Sequence, residues 1–199
     1  MKRIVLASGG LDSSTLLAIL PKEDTVALFF DYGQLCAEQE RKAIRGITNR
    51  LGISLVERNI ADVFRSSKSN IIRQEPTKSN EKQHEVECRN LVFVALATSI
   101  ATQLFPKEQV EILLGIIKIG FPYPDCTVDF IKQCNSLVQM VSNGCVQIIA
   151  PFADIGKDEV LMRLNGSDIL PKETWSCYYG QDEPCGECPA CIDRKILGV

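Results

Sequence analysis

The sequence predicts an α/β protein built on a doubly wound, parallel, five-stranded sheet, and three observations support this. Short β-branched and apolar runs alternate with longer stretches of helical periodicity, as in repeated strand–helix units. A glycine-rich turn directly follows the first apolar run, where such folds bind phosphate. The alternation fails only in a polar stretch, Ile60–Val86, and in a cysteine-rich one, Asn165–Cys191.

Five strands and five helices are predicted in chain order. The strands are Arg3–Ala7, Thr25–Asp31, Ile53–Asn59, Val110–Gly115 and Val146–Pro151. The helices are Leu11–Leu20, Cys36–Leu51, Asn90–Phe105, Val128–Val141 and Lys157–Leu164. Pro21, Gly52 and Pro106 follow the first three helices, as expected of residues that end a helix. The first half of the third helix is nearly all apolar, which predicts burial on several sides.

Length and charge narrow the class of protein. A chain of 199 residues fits one compact unit, which we expect to be an α/β domain over residues 1–165 with a segment over 166–199 packed on it. A net charge of −3 argues against stable nucleic-acid binding, because that binding needs clustered Lys and Arg. No apolar run approaches the ~20 residues of a membrane span, and no targeting pattern is evident. We expect a cytoplasmic protein without membrane association.

The glycine turn is the first candidate site. In LASGGLDSST, Ser8, Gly9 and Gly10 stand where backbone N–H groups and a helix dipole converge on an anion. Serine hydroxyls can add donors, and Asp12 can hold Mg²⁺ against phosphate oxygens. A tight strand-to-helix turn with N-capping serines is the simpler alternative. The residues expected to bind a nucleotide in this turn are Leu6, Ala7, Ser8, Gly9, Gly10, Leu11, Asp12, Ser13 and Ser14.

The type of turn can be narrowed further. The sequence has neither the GxxxxGK[ST] loop nor the GxGxxG dinucleotide pattern at this place. It does match SGGxDS, which resembles the PP-loop of the ATP pyrophosphatases. That resemblance implies cleavage of ATP between its α and β phosphates, with the pyrophosphate held by the turn.

Four of the nine cysteines crowd into one span near the C-terminal end. Four thiolates at this spacing suit a tetrahedral structural Zn²⁺, while an iron–sulfur cluster and a redox dithiol are the alternatives. The expected ligands are Cys177, Cys185, Cys188 and Cys191.

A PP-loop and a four-cysteine tail together resemble the QueC family of 7-cyano-7-deazaguanine synthases. Intermediate segments agree in order, so the resemblance covers nearly the whole chain. These segments are FDYGQ at Phe30–Gln34, RNLVFVALA at Arg89–Ala97, GFPYPDC at Gly120–Cys126, APFADIGKDEV at Ala150–Val160 and the SCY…CGECPAC tail.

The resemblance implies an adenine nucleotide α-hydrolase fold, a homodimer and a specific reaction. In that family ATP adenylates 7-carboxy-7-deazaguanine, ammonia gives the amide, and a second ATP dehydrates it to the nitrile. It also implies ATP, Mg²⁺ and one structural Zn²⁺ as cofactors. Catalytic roles fall to Asp12, Lys157, Arg89 and Asp125, and further nucleotide contacts to Asp31, Tyr32, Gln34, Asn90 and Gly115.

Three short segments depart from the family pattern. Leu35-Cys36 replaces a basic residue and a His, Glu87-Cys88 replaces a Pro-Gly type pair, and Ile117–Ile119 replaces a polar run. These changes leave the glycine turn and the cysteines intact but alter the expected substrate wall. A QueC-like paralogue that joins a related carboxylate to another amine, or to a protein partner in an anti-phage system, is therefore an alternative.

Two other classes remain open, a PP-loop tRNA-thiolating enzyme and a zinc-dependent interaction module. The acidic charge and the absence of a basic stripe disfavour the first. The single His84 lacks ligand spacing with another His or Cys and is interpreted as a solvated loop residue. Cys36 and Cys88 fall near the expected site, and small buried hydrophobic residues are their commoner role.

Overall fold

A computed structural model describes residues 1–72, 84–118 and 123–199. Within these ranges, five parallel strands form one sheet in the order β3-β2-β1-β4-β5. The predicted fold class is confirmed, and the predicted strand ends shift by only one or two residues. The strands are β1 (Lys2–Leu6), β2 (Thr25–Asp31), β3 (Ser54–Asn59), β4 (Val110–Leu114) and β5 (Val146–Ile149).

The five predicted helices are present, and two short helices were not predicted. The second of these begins with Pro189, whose fixed φ suits the first position of a helix. No helix in the described ranges is both long enough and apolar enough to cross a membrane. The helices are α1 (Leu11–Ile19), α2 (Ala37–Leu51), α3 (Ala61–Phe64), α4 (Arg89–Leu104), α5 (Val128–Val141), α6 (Lys157–Asn165) and α7 (Pro189–Ile196).

The sheet is covered on both faces, because its strands alternate buried side chains between two cores. Val5 faces a core shared with α1, α2 and α6, whereas its neighbour Ile4 faces a second core shared with α4 and α5. Phe29 and Phe152 are among the largest fully buried side chains, and both belong to the first core. This two-sided burial explains the continuous apolar runs of the strands.

One burial prediction for α4 was wrong. Val94 and Ala97 are buried against the sheet, but Leu91 is 43% exposed. A helix on the outer layer of a doubly wound sheet buries one face only, so an apolar composition does not ensure burial all round.

The C-terminal segment, residues 166–199, packs on the glycine turn and on the loop after β2. The backbone N–H of Trp175 donates to the Gly9 carbonyl oxygen at 2.8 Å. Gly180 passes so close to Leu35 that a Cβ at this glycine would overlap the Leu35 carbonyl oxygen. The α/β domain, residues 1–165, and the cysteine-rich segment therefore contact each other directly.

Candidate active site

A cavity of about 430 Å³ lies at the carboxyl edge of the sheet. The position of the cavity follows from the sheet topology. β1 pairs with β2 on one side and with β4 on the other. The loops after β1 and β4 diverge, which leaves a crevice between them. The predicted site residues that line the cavity are Leu6, Ala7, Ser8, Gly10, Leu11, Asp12, Ser13, Tyr32, Arg89, Asn90, Gly115 and Lys157. The predicted residues outside this lining are Gly9, Ser14, Asp31, Gln34 and Asp125.

The glycine turn presents the open N-terminus of α1 to the cavity. Gly10 is the N-cap, and no side chain caps the helix there. The Ser8 N–H bonds the Ser13 hydroxyl at 3.3 Å, and the Gly10 N–H bonds the Ser8 hydroxyl at 3.2 Å. Since both hydroxyls can rotate, the turn offers several donors to an anion without backbone rearrangement.

Two glycines bring backbone segments close together around this turn. Gly9 has a φ of 77°, and a Cβ on it would stand 2.8 Å from the Glu40 carbonyl oxygen. At the end of β4, a Cβ on Gly115 would stand 3.2 Å from the Ser13 nitrogen. Both positions are therefore packed by backbone, which accounts for the lack of a side chain.

Asp12 supplies a carboxylate beside the turn. Its Oδ1 is buried and has no hydrogen-bond partner in the described ranges. Burial raises the pKa of Asp12 to about 6, while the positive charge of Lys157 opposes this shift. An unpartnered buried carboxylate oxygen fits a cation ligand, so the residue is suited to hold Mg²⁺.

Lys157 reaches the cavity from the first turn of α6. Its Nζ lies 2.9 Å from the Asp193 Oδ2, which comes from α7 in the cysteine-rich segment. The predicted lysine thus lies in the cavity wall, but its anionic partner was not foreseen from the sequence. No local sequence pattern links residues that are 36 positions apart.

The start of α4 forms the opposite wall. The Arg89 guanidinium packs 5.7 Å from the Tyr32 ring centroid and 5.8 Å from that of Phe93, and its buried Nε has no described partner. Arg89 thereby presents a desolvated cation to the cavity.

Asp125 is engaged at the same helix end. Its Oδ2 accepts the Asn90 backbone N–H at 2.9 Å, and the Asn90 side chain donates to the Asp125 carbonyl oxygen at 2.9 Å. Asn90 does not cap the helix, since Cys88 is the N-cap, with φ 57°. The catalytic role of Asp125 stays a prediction, while its carboxylate serves here to bind the helix terminus.

The Asp31–Gln34 turn shapes the cavity from behind. The Asp31 Oδ1 accepts the Gly33 N–H at 3.1 Å, and the Gln34 side chain accepts the Tyr32 N–H at 2.9 Å. Gln34 also donates to the Glu40 carboxylate at 2.7 Å. These contacts stabilise the turn, and Tyr32 of this turn lines the cavity wall.

Glu40 is a cavity residue that the sequence did not identify. Burial raises the pKa of Glu40 to about 7, opposed by the Gln34 hydrogen bond. Cys36 also lines the cavity, and burial raises the pKa of its thiol well above the usual range. The only sequence signal for Glu40 was an acidic residue in the first turn of α2, a common capping feature.

The four predicted metal ligands come together. Their sulfur atoms lie within 4.8 Å of one another, and the Cys185 and Cys191 sulfurs are 3.9 Å apart. A tetrahedral Zn²⁺ with Zn–S bonds of about 2.3 Å places sulfurs about 3.8 Å apart. Backbone N–H groups donate to the Cys177 and Cys185 sulfurs at 3.3–3.5 Å, as suits thiolates. The cluster can hold a metal with no ligand position left for substrate.

The structure corrects two interpretations of single residues. His84 is not solvated: it is 8% exposed and lines the cavity, where its ring packs on Tyr178. Cys88 is exposed rather than buried. Of the altered Ile117–Ile119 segment, Ile117 lines the cavity, while Ile119 and the following residues 120–122 lie outside the described ranges. Much of the long polar stretch, residues 73–83, also lies outside them.

Sequence comparisons agree with this architecture. Proteins named 7-cyano-7-deazaguanine synthase include one from Campylobacter concisus, 31% identical over 96% of this chain and 90% of its own length. Another, from Synechococcus elongatus, is 34% identical over 98% of this chain and 90% of its own length. Among solved structures, the U34-tRNA thiolase NcsA from Methanococcus maripaludis, with its [4Fe-4S] cluster, has a TM-score of 0.51 at 13% identity. This chain is covered completely and spans 64% of that protein, a likeness of fold alone.

The model of one family spans almost the whole sequence. Residues 2–196 match the family described as "Queuosine biosynthesis protein QueC". The match includes the glycine turn, both cavity walls and all four clustered cysteines. The chain therefore belongs to the QueC family.

Proposed function

We propose that this chain uses ATP to convert 7-carboxy-7-deazaguanine and ammonia into 7-cyano-7-deazaguanine. The observation that carries the proposal is one cavity with two unlike walls. An uncapped helix N-terminus, Asp12 and Lys157 form the first, and the desolvated Arg89 guanidinium belongs to the second. A triphosphate fits the first wall and an anionic heterocycle the second.

The first wall suits adenylation. The substrate carboxylate oxygen attacks the α-phosphorus, the bond to the β-phosphate bridging oxygen breaks, and pyrophosphate leaves. Backbone N–H groups of the turn and the Lys157 ammonium stabilise the negative charge that develops on this leaving group. Mg²⁺ held by Asp12 would further neutralise the phosphate oxygens. Leu6, Ala7 and Gly115 line the same cavity.

The conversion to the nitrile needs this activation twice, once for the carboxylate and once for the amide. Ammonia attacks the acyl carbon, AMP departs with the acyl–oxygen electron pair, and one proton is lost to give the amide. The amide oxygen then attacks the α-phosphorus of a second ATP, pyrophosphate leaves, and one of the two N–H protons is lost. Loss of AMP and of the remaining N–H proton yields the nitrile. Arg89 is placed to hold the substrate carboxylate before activation, and Asn90 orients the helix terminus that carries it.

The metal and the assembly belong to the same proposal. We assign the cysteine cluster to one structural Zn²⁺, since four thiolates with backbone N–H donors leave no open position. The proposal also includes a homodimer, which the family resemblance implies, and a cytoplasmic location. We include in it a segment over residues 166–199 packed on an α/β domain over residues 1–165, and the contacts of Trp175 and Gly180 with Gly9 and Leu35 support that packing.

A second candidate is a paralogue that passes the activated carboxylate to another amine or to a protein partner. The observation that favours it is the cavity wall itself, where Cys36 and Ile117 stand in segments that depart from the family pattern. Under this alternative, adenylation is unchanged and only the acceptor differs.

The test is product analysis with the purified, metal-loaded protein. The protein is incubated with Mg²⁺, ATP, ammonium and 7-carboxy-7-deazaguanine, and the products are identified by mass spectrometry. Formation of AMP and the nitrile is the expected result. AMP formation without nitrile, or only with an added protein amine, would favour the paralogue. Absence of AMP under all these conditions would overturn both candidates, and sulfur transfer to tRNA would then be assayed.

A further inference from the structure

The only histidine of the chain lies in the cavity wall with an unused nitrogen. His84 is 8% exposed, and its Nδ1 is buried without a hydrogen-bond partner in the described ranges. Since buried polar atoms are rarely left unpaired in folded proteins, an unpaired atom on a residue that lines a cavity indicates a ligand group that completes it. The proposed chemistry has not yet used this residue.

The ring of His84 is held by aromatic packing. Its centroid lies 4.9 Å from that of Tyr178, with the two planes inclined by 41°. Tyr178 in turn packs on an apolar cluster formed by Tyr32, Phe64, Ile71 and Val86. His84 and Ile71 both reach the cavity lining, so this cluster supports the wall behind them. The imidazole is therefore a buried part of the wall.

The histidine belongs to the Arg89 side of the cavity. Arg89 follows His84 by five positions, packs on the Tyr32 ring of the same cluster and carries the other orphaned nitrogen of this wall. The orphaned oxygen of Asp12 belongs to the opposite element, α1. Unpaired polar atoms thus mark two separate ligand regions.

We propose that His84 is a specificity-determining residue whose Nδ1 hydrogen-bonds the heterocyclic ring of the carboxylate substrate. This inference rests on the proposed function and assigns one contact within it. A neutral imidazole can donate or accept at Nδ1 according to its tautomer, so it can pair with a ring N–H or a ring carbonyl oxygen. Arg89 binds the carboxylate of the same molecule.

A nucleotide phosphate is the less suitable partner. Phosphates are bound through cations and N–H donors, which the α1 turn and Lys157 already provide. Burial lowers the pKa of His84, which favours the uncharged ring and so weakens its attraction for an anion. An uncharged hydrogen-bonding ring beside a buried cation suits a polar heterocycle that bears a carboxylate.

Three variants separate hydrogen bonding from packing. H84F keeps an aromatic ring against Tyr178 but removes both nitrogens. H84N places an amide near the position of Nδ1, and H84Q, its matched control, places one near Nε2. Each is purified with its metal, checked for folding by thermal denaturation, and assayed for AMP release while 7-carboxy-7-deazaguanine and ATP are varied separately.

The expected result is selective. H84F and H84Q raise KM for the carboxylate about tenfold, equivalent to about 1.4 kcal/mol, with KM for ATP unchanged. H84N restores KM for the carboxylate to within about threefold of the parent value. An unchanged KM for the carboxylate in both H84F and H84Q would overturn the assignment. A rise in KM for ATP alone, or a fall in kcat with both KM values unchanged, would do the same.

The parent protein keeps this inference distinct from the proposed function. If the parent forms no AMP with the carboxylate, the proposed function fails and the histidine assignment fails with it. If the parent is active and the variants match it, only the assignment of His84 fails. Where H84F does not fold, the comparison of H84N with H84Q gives the same decision.

Discussion

The Lys157 Nζ lies 2.9 Å from the Asp193 Oδ2, which joins the first turn of α6 to the helix that carries Cys191. The lysine side chain is 26% exposed and the aspartate side chain 51%. A pair this accessible contributes little to stability. Its effect is to hold an ammonium group beside Asp12 before any phosphate is bound, with the metal segment as its anchor.

Replacing the two partners of this pair has unequal consequences. We expect K157M to lower kcat/KM for ATP by about 100-fold, because a cation near the leaving pyrophosphate is lost. D193N, the matched change, removes only the anchor and lowers the same ratio by less than about fivefold. Steady-state AMP release measures both. Near-parental activity of K157M would contradict the role of the lysine.

Asp12 is predicted to be essential for AMP formation but not for the cysteine cluster. D12N keeps the size of the side chain and removes the carboxylate charge, so Mg²⁺ is held less firmly at the phosphates. AMP release falls below about 1% of the parent rate, while metal content by elemental mass spectrometry stays at the parent level. Continued AMP formation by D12N would show that Asp12 is not the residue that holds Mg²⁺ at the phosphates.

Glu40 gives stability a pH dependence. Burial raises the pKa of Glu40 to about 7 from an ordinary value of 4.5, so the native state binds more protons than the unfolded state between these pH values. Stability therefore falls as pH rises from about 4.5 to about 7. The neutral variant E40Q lacks this loss and exceeds the parent by up to about 3 kcal/mol at pH 8. Urea denaturation at pH 5 and pH 8 measures the difference, which should fall below about 1 kcal/mol at pH 5.

The glycine turn tolerates no side chain at Gly9. G9A forces a Cβ to within 2.8 Å of the Glu40 carbonyl oxygen at a φ of 77°, and we expect a loss of about 2 kcal/mol or more. Gly46, inside α2, has no heavy atom within 4 Å of a built Cβ and serves as control. G46A gains about 0.5–1 kcal/mol. Denaturation midpoints that shift in the same direction for both would contradict the packing described here.

We expect loss of metal from the cysteine cluster to affect the proposed nucleotide site as well as the segment that carries the cysteines. C191S is expected to lose the bound metal, lower Tm and weaken ATP binding by about tenfold or more, since Trp175 and Asp193 depend on the same segment. Cys145 lies outside the cluster, so C145S keeps metal, Tm and ATP affinity. ATP affinity is measured by calorimetric titration. If C191S binds ATP with the parent affinity, the nucleotide site does not depend on the cysteine cluster.

The features that depend on local sequence could be predicted. Strand–helix alternation gave the fold class, and short spacings gave the glycine turn and the cysteine cluster. Features created by tertiary contact could not be predicted. They include the approach of Asp193 to Lys157 and the burial of His84 on Tyr178. His84 was misjudged because its polar neighbours in sequence resemble a solvated loop, whereas its burial is set by an aromatic residue from the far end of the chain.

The hydrogen bond from the Trp175 N–H to the Gly9 carbonyl oxygen has a consequence for protein synthesis. A growing chain completes the glycine turn and β2 early, whereas β4 and the segment that packs on the turn are synthesised much later. Until Trp175 is synthesised, the nascent chain carries the turn without this contact. Under the proposed function, we therefore expect translation products that end before Trp175 not to consume ATP.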